Sequence, residues 1–187
     1  MKLFHRDMLA SFNYYYLVPS LPTLRPEDSG EISCDVFLQK CSQFLTSDDL
    51  ESLRHSTIDN FDPQSPNTVF RKWQQWETDL RNQLIVLRCQ KLRLDPKHFT
   101  RAGTEFIQIS RSVKEAFAAS TPMESENYLH KLRWAYLDDM ERSYLFDLNY
   151  LIIYYVKLQL LERRKKYTLE RGMKFLEEMG VLEENLL

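Results

Sequence analysis

The chain reads as an all-α protein of about six to seven helices, with long antiparallel helices in a bundle and a proline-rich N-terminal arm. Three observations carry that reading. The first is the stretch 144–166, YLFDLNYLIIYYVKLQLLERRKK, the most apolar part of the chain, which holds neither Gly nor Pro. Leu145, Leu148, Ile152, Tyr155 or Val156, and Leu160 recur every three or four residues and so line one side of a helix. Tyr150, Leu151, Tyr154 and Leu158 widen that stripe until only the side near Asp147, Asn149, Lys157 and Gln159 stays polar. A helix this apolar needs other helices around it. The second observation is that only four glycines occur in 187 residues, too few for a sheet protein full of tight turns or for glycine-rich phosphate loops. The third is Thr121-Pro122-Met123-Glu124: Thr at the N-cap, Pro at the first helical position and Glu at the third form a capping box.

In chain order, Tyr14-Tyr15-Tyr16-Leu17-Val18 fits either a short strand or the start of a helix, and Pro19, Pro22 and Pro26 force the chain around and beyond them to be extended or turned. Residues 1–30 are therefore an arm, whose aromatics pack on the body or hook onto a partner. Residues 31–187 form a single helical domain. Ser33 or Asp35 can cap a helix with Phe37, Leu38, Cys41, Phe44 and Leu45 on one face, and Thr46-Ser47-Asp48-Asp49 opens a short helix through Leu50 and Leu53. The polar stretch 56–67, with Pro63 and Pro66, is the best internal boundary. From 67 to 94 the spacing of Val69, Trp73, Trp76, Leu80, Leu84 and Leu87 predicts one helix of about 40 Å, stopped by Asp95-Pro96. A helix over 104–119 groups Phe106, Ile109, Val113 and Phe117. The next carries Leu129, Leu132, Tyr136 and Met140 and bends near 138–143, before the central helix. Thr168 caps a last helix with Leu169, Met173 and Leu176, closed by Gly180.

Twenty-five basic and 27 acidic residues leave a formal charge of −2, which gives no general attraction to nucleic acid or anionic lipid. Cys34, Cys41 and Cys89 are odd in number and lack CxxC spacing, as expected of reduced thiols in a cytoplasmic protein. The first residues, MKLFHRDMLASF, offer no secretory apolar region, and Asp147 and Lys157 interrupt the one apolar stretch, so no membrane insertion is expected.

The chemistry-bearing residues do not assemble into a catalytic pattern. Glu126 and His130, four apart, make half of a metal site at most, since no HExxH or paired ExxH is present. Asp138, Asp139 and Glu141 cluster at a helix junction without a His or Cys at motif spacing. No GxxxxGKS/T, GxGxxG or GxSxG occurs. No catalytic, cofactor or metal site and no small-molecule substrate is expected. The run Arg163-Arg164-Lys165-Lys166 complements a helix C-terminus. With Arg71, Arg81, Arg88 and Arg93 it makes either a solvated, paired helix face or a surface for an acidic protein or RNA, though no RNP-like motif supports RNA.

Three stretches, YYYLVPSLPTL, FRKWQQWETDLRNQLIVLRCQKLRLD and YYVKLQLLERRKKYTLERGMKFLEEM, resemble a bacterial domain-of-unknown-function family. Its members are encoded within V-type (A-type) ATP synthase operons, where the C subunit gene is expected. A fainter resemblance extends to the C (or d) subunit itself, an all-helical protein between rotor shaft and membrane ring that couples rotation to ion transport without catalysis. In that larger family an Asn and an Arg recur on long helices, and Asn82 and Arg88 in LRNQLIVLRCQKL look like that pair. The chain departs from it in being about half as long and in showing no repeat of its helical unit. The resemblance implies a non-catalytic structural or accessory subunit in the cytoplasm, peripheral at the inner membrane through the ATPase. Central-stalk proteins and the membrane ring would be its partners, and Arg71, Arg81, Asn82, Arg88 and Arg163 its candidate partner-binding residues. The alternative is a free helical adaptor or regulator unconnected to the ATPase.

Overall fold

The computed structural model describes residues 13–28, 32–59, 61–62, 64–102 and 109–166. Among them the chain is all-α, with seven helices and no strand. The first, α1, is helical over 13–17 and runs into a 3-10 turn at Val18–Ser20. Then come α2 (Cys34–Cys41), α3 (Ser47–His55), α4 (Thr68–Leu92), α5 (Ile109–Phe117), α6 (Pro122–Glu141) and α7 (Leu148–Lys166), with a second 3-10 turn at Pro96–His98.

Before α7, four of the helices start on a side-chain cap from the residue just before them. Ser33 accepts from the Val36 amide, Thr46 from Asp49, Asn67 from both Val69 and Phe70, and Thr121 from Glu124. These groups satisfy amides that the first turn of a helix leaves without partners. The Glu124 carboxylate accepts from the Ser120 amide, one residue before the position a capping box uses. The ambiguous run at 14–18 resolves as helix and 3-10 turn, because Tyr14 and Leu17, three apart, both enter the core.

α7 is the centre of the body. Leu151 to Leu161 is buried except for Gln159, and α2, α3, α4 and α6 all pack on it. One expectation about this helix is corrected. It begins at Leu148 rather than Tyr144, because the Asp147 carboxylate accepts from the Tyr150 amide and caps it there. Leu145 therefore precedes the helix and is 68% exposed, outside the core stripe. The polar side of α7 does not face water. Lys157 is buried, bonded to Asp138 at 2.7 Å and Glu141 at 2.6 Å, with its ammonium 5.5 Å from the Trp134 ring centre. Gln159 accepts from the Ile58 amide and donates to the Ser56 carbonyl, which holds the 56–67 stretch against α7. Polar groups on this helix are structural clasps.

The arm folds onto the same core. The Tyr154 hydroxyl donates to the Pro22 carbonyl at 2.8 Å, and Lys40 donates to the Ser20 carbonyl at 2.7 Å. Tyr15 stays exposed and stacks on Phe146 at 4.5 Å. α2 ends at Cys41, so Phe44 and Leu45 lie beyond it in a turn, partly buried against the core. In α5, Ile109, Val113 and Ala116 form the buried face, with Phe117 half-buried; Phe106 lies outside the described residues, as does the helix expected after Thr168.

α6 and α7 run antiparallel. Lys157 meets Asp138 and Glu141 at the end of α6, whereas Arg163, further along α7, meets Glu126 near its start. The bend between them falls at 142–147, slightly later than the spacing predicts. The starts of α4 and α7 are joined by Asn67 donating to Asn149 at 3.1 Å. A contrast tests the corrected boundary: Leu151→Ala should cost about 2–5 kcal/mol in chemical denaturation and Leu145→Ala no more than about 0.5 kcal/mol. Equal losses would contradict the start at Leu148.

Candidate functional site

α4 carries most of the candidate residues. It is 25 residues long, and its inward face buries Val69, Phe70, Trp73, Trp76, Leu80 and Leu84. Trp76 lies nearly parallel to Tyr136 of α6, with ring centres 4.4 Å apart and planes 6° off. Immediately beside that stack sits a carboxylate. Glu77 is 8% exposed and receives the Arg133 guanidinium through Nε at 2.9 Å and Nη2 at 3.2 Å. Arg133 is itself 4% exposed, so this is a two-pronged ion pair inside the helix bundle.

The pair extends into a ladder. Arg81 donates to Glu77 at 2.8 Å from the solvent side of α4. Arg133 also reaches Glu126 at 3.3 Å, and Glu126 accepts from Arg163 of α7 at 3.3 Å. Three helices are thereby tied by alternating charges: Arg81, Glu77, Arg133, Glu126, Arg163. Burial alone would raise the Glu77 carboxyl pKa, but Arg133 and then Arg81 outweigh it and hold the group below its ordinary range. A carboxylate kept ionised between two guanidiniums is suited to bracing helices rather than to carrying protons.

His130, one turn along α6 from Glu126, binds the arm. Its Nε2 lies 2.9 Å from the Pro26 carbonyl, which only an N–H can satisfy, and Arg164 donates to the same oxygen at 2.6 Å. Burial lowers the imidazole pKa, the Pro26 bond offsets this in part, and Arg164 and Arg133 lower it further. Glu126 and His130 thus turn to different partners. Among the described residues no group of three His, Cys, Asp or Glu converges as a metal site would require. The acidic cluster at the end of α6 is likewise divided, Asp138 and Glu141 on Lys157 and Asp139 on Arg142. The three cysteines are buried and free; burial pushes the Cys41 thiol up to about 12 and also raises the Cys34 thiol, the latter helped by Glu162.

The five candidate partner residues make different contacts. Arg81 and Arg163 belong to the ladder, from its two ends. Asn82 is a clamp: its side chain donates to the Arg101 carbonyl at 2.8 Å and accepts from the Arg101 amide at 2.9 Å. Arg71 is half-buried in the first turns of α4. Arg88 is exposed at the outer end of α4, where only Cys89 is buried between positions 88 and 94. An open cleft lies between α4 and the segment beyond it, lined by Trp73, Glu77, Arg81, Asn82, Phe99 and Arg101. Sequence reasoning did not find Glu77, Arg133 and Glu126 as a set. The spacings Glu77–Arg81 and Glu126–Arg133 place each pair on one helix face, but nothing in the sequence joins the two helices.

No family model, curated protein or solved structure matches the chain. Among the described residues no helix is long and apolar enough to cross a membrane.

Removing one half of the buried pair strands the other. Glu77→Gln and Arg133→Met should each cost about 3–5 kcal/mol, and the double variant clearly less than their sum, as urea denaturation in a double-mutant cycle would show. Additive losses would mean that the pair is not coupled. A second outcome concerns pH. The unfolded chain protonates His130 near its ordinary 6.5 while the folded chain resists, so stability is complete above that value and falls as pH drops through the lowered folded pKa. The Glu77 carboxylate, lowered from an ordinary 4.5, adds its loss only at lower pH. Denaturation midpoints at about pH 7.5 and about pH 5.5 should therefore differ less for His130→Gln than for the parent; an unchanged difference would remove His130 from the account.

Proposed function

We propose that this protein is a non-catalytic structural or accessory subunit of a V-type ATP synthase, C-subunit-like, standing between the central stalk and the membrane ring. The complex is suggested by the three stretches YYYLVPSLPTL, FRKWQQWETDLRNQLIVLRCQKLRLD and YYVKLQLLERRKKYTLERGMKFLEEM, and by Asn82 and Arg88 within the second. The mechanical role is supported above all by one observation: α4, 25 residues long, is braced against α6 by the buried Glu77–Arg133 pair. A helix of this length spans about 37 Å. Fixed along its inner part and exposed at its outer end, it can carry force between a partner at that end and the body of the bundle. Bidentate pairing fixes orientation as well as distance, which suits a rigid transmitter. Glu77 and Arg81 at the open cleft are already committed to one another, which favours a scaffold over an enzyme.

The test is affinity purification of the tagged chain from its native cells under gentle solubilisation, with partners quantified by mass spectrometry. The reading predicts ATPase catalytic and stalk subunits in constant proportion to the tagged chain. Their absence would overturn it and leave a free helical adaptor.

A further inference from the structure

The outer end of α4 is built in an unusual way. Arg93 ends the helix in the left-handed region, at φ 58°, the one non-glycine residue there among the described residues. Its amide returns to the Gln90 carbonyl, and the Leu94 amide to that of Cys89 at 2.9 Å, the two bonds of a Schellman stop. Asp95 then accepts from the Lys97 amide and opens the Pro96–His98 turn, and the amides of Phe99 and Thr100 return to the Pro96 carbonyl. Asn82 finally grips the backbone of Arg101, nineteen residues on, by both its donor and its acceptor. Residues 93–101 are thus a hydrogen-bonded apex folded back along α4.

This ordered apex presents apolar side chains to solvent. Leu92 is 66% exposed, Leu94 50% and Phe99 54%. A Schellman stop ordinarily sets the residue after the left-handed one against its own helix, yet Leu94 stays half in water. The stretch 88–101 that holds these three also carries Arg88, Lys91, Arg93, Lys97 and Arg101, the last with its guanidinium 5.1 Å from the Phe61 ring centre, against the single carboxylate of Asp95, in a chain whose net charge is −2. Glycine would hold the left-handed position at lower cost, so arginine there spends stability on a side chain the fold does not need.

We infer that this apex is a docking point for a partner protein that offers an acidic helix with an apolar stripe, Leu92, Leu94 and Phe99 seating on the stripe and the surrounding guanidinium and ammonium groups facing its carboxylates. Charge complementarity identifies the partner's sign, and the three large apolar groups separate it from nucleic acid, which would be met by charge and stacking alone. The inference names a partner surface and needs no assignment of the complex.

The test uses the full chain and a synthetic helical peptide of about 18 residues with Leu on one face and Glu on the other. Its comparators are the same peptide with Lys for Glu, a scrambled peptide of equal composition, and heparin. The Leu/Glu peptide should bind, the Lys and scrambled peptides at least about tenfold more weakly. Leu92→Ser combined with Leu94→Ser should weaken it by a similar factor. Arg93→Gly should weaken binding while leaving thermal stability equal or higher, a pairing of effects that a structural role for Arg93 would not give. No binding, unchanged affinity in these variants, or equally tight binding of heparin that ignores the leucines would overturn the inference. So would dissociation of a parent dimer by the leucine variants, since the occupant would then be a second copy.

Discussion

The fold depends on a carboxylate and a guanidinium that are almost wholly buried between helices. Glu77 and Arg133 fix the distance and the rotation of α4 against α6, and the neighbouring contacts share that register. Trp76 stacks flat on Tyr136 beside the pair. Arg133 passes the constraint to Glu126, and Glu126 to Arg163 on α7. Two buried charges of opposite sign contribute little net stability, because desolvation offsets most of the attraction. Their gain is in specificity: an apolar substitute could pack in several registers, whereas a two-pronged pair has one.

A second group of polar contacts plays the same part at the periphery of the core. Lys157 lies in a pocket of Asp138, Glu141 and the Trp134 face, closing the α6–α7 connection. Glu162 accepts from the Cys34 amide at 2.7 Å, so that α7 supplies a cap to α2. His130 and Arg164 share the Pro26 carbonyl, and Tyr154 takes that of Pro22. Proline-rich chain has few amides to donate but keeps its carbonyls, and the body answers with donors. The arm is held by that complementarity, at neutral pH through an uncharged imidazole.

Much of this was legible in the sequence. Helical spacing located α4 and α7 because their large apolar residues dominate one face, and Thr121-Pro122 marked the start of α6 within one residue. The misreadings have a common cause. Leu145 continues the periodic stripe of α7 by spacing alone, yet the cap at Asp147 overrides it. Lys157 and Gln159 read as the polar side of that helix, and spacing gave no sign of the tertiary partners that both have. Periodicity reports which residues are apolar, not which polar residues find a buried partner. The ladder was invisible for the same reason: its links join positions 56 and 37 residues apart, and only the fold brings them together.

Amide hydrogen exchange along α4 reports whether the Glu77–Arg133 pair holds that helix in place. If the Glu77–Arg133 pair pins this helix, the amides from Trp73 to Leu84 exchange only with global unfolding, and in Glu77→Gln their protection falls more than that of the α7 core. If those amides exchange as readily as exposed helix ends, or if Glu77→Gln lowers protection evenly across the protein, α4 is not held by the pair and the account fails.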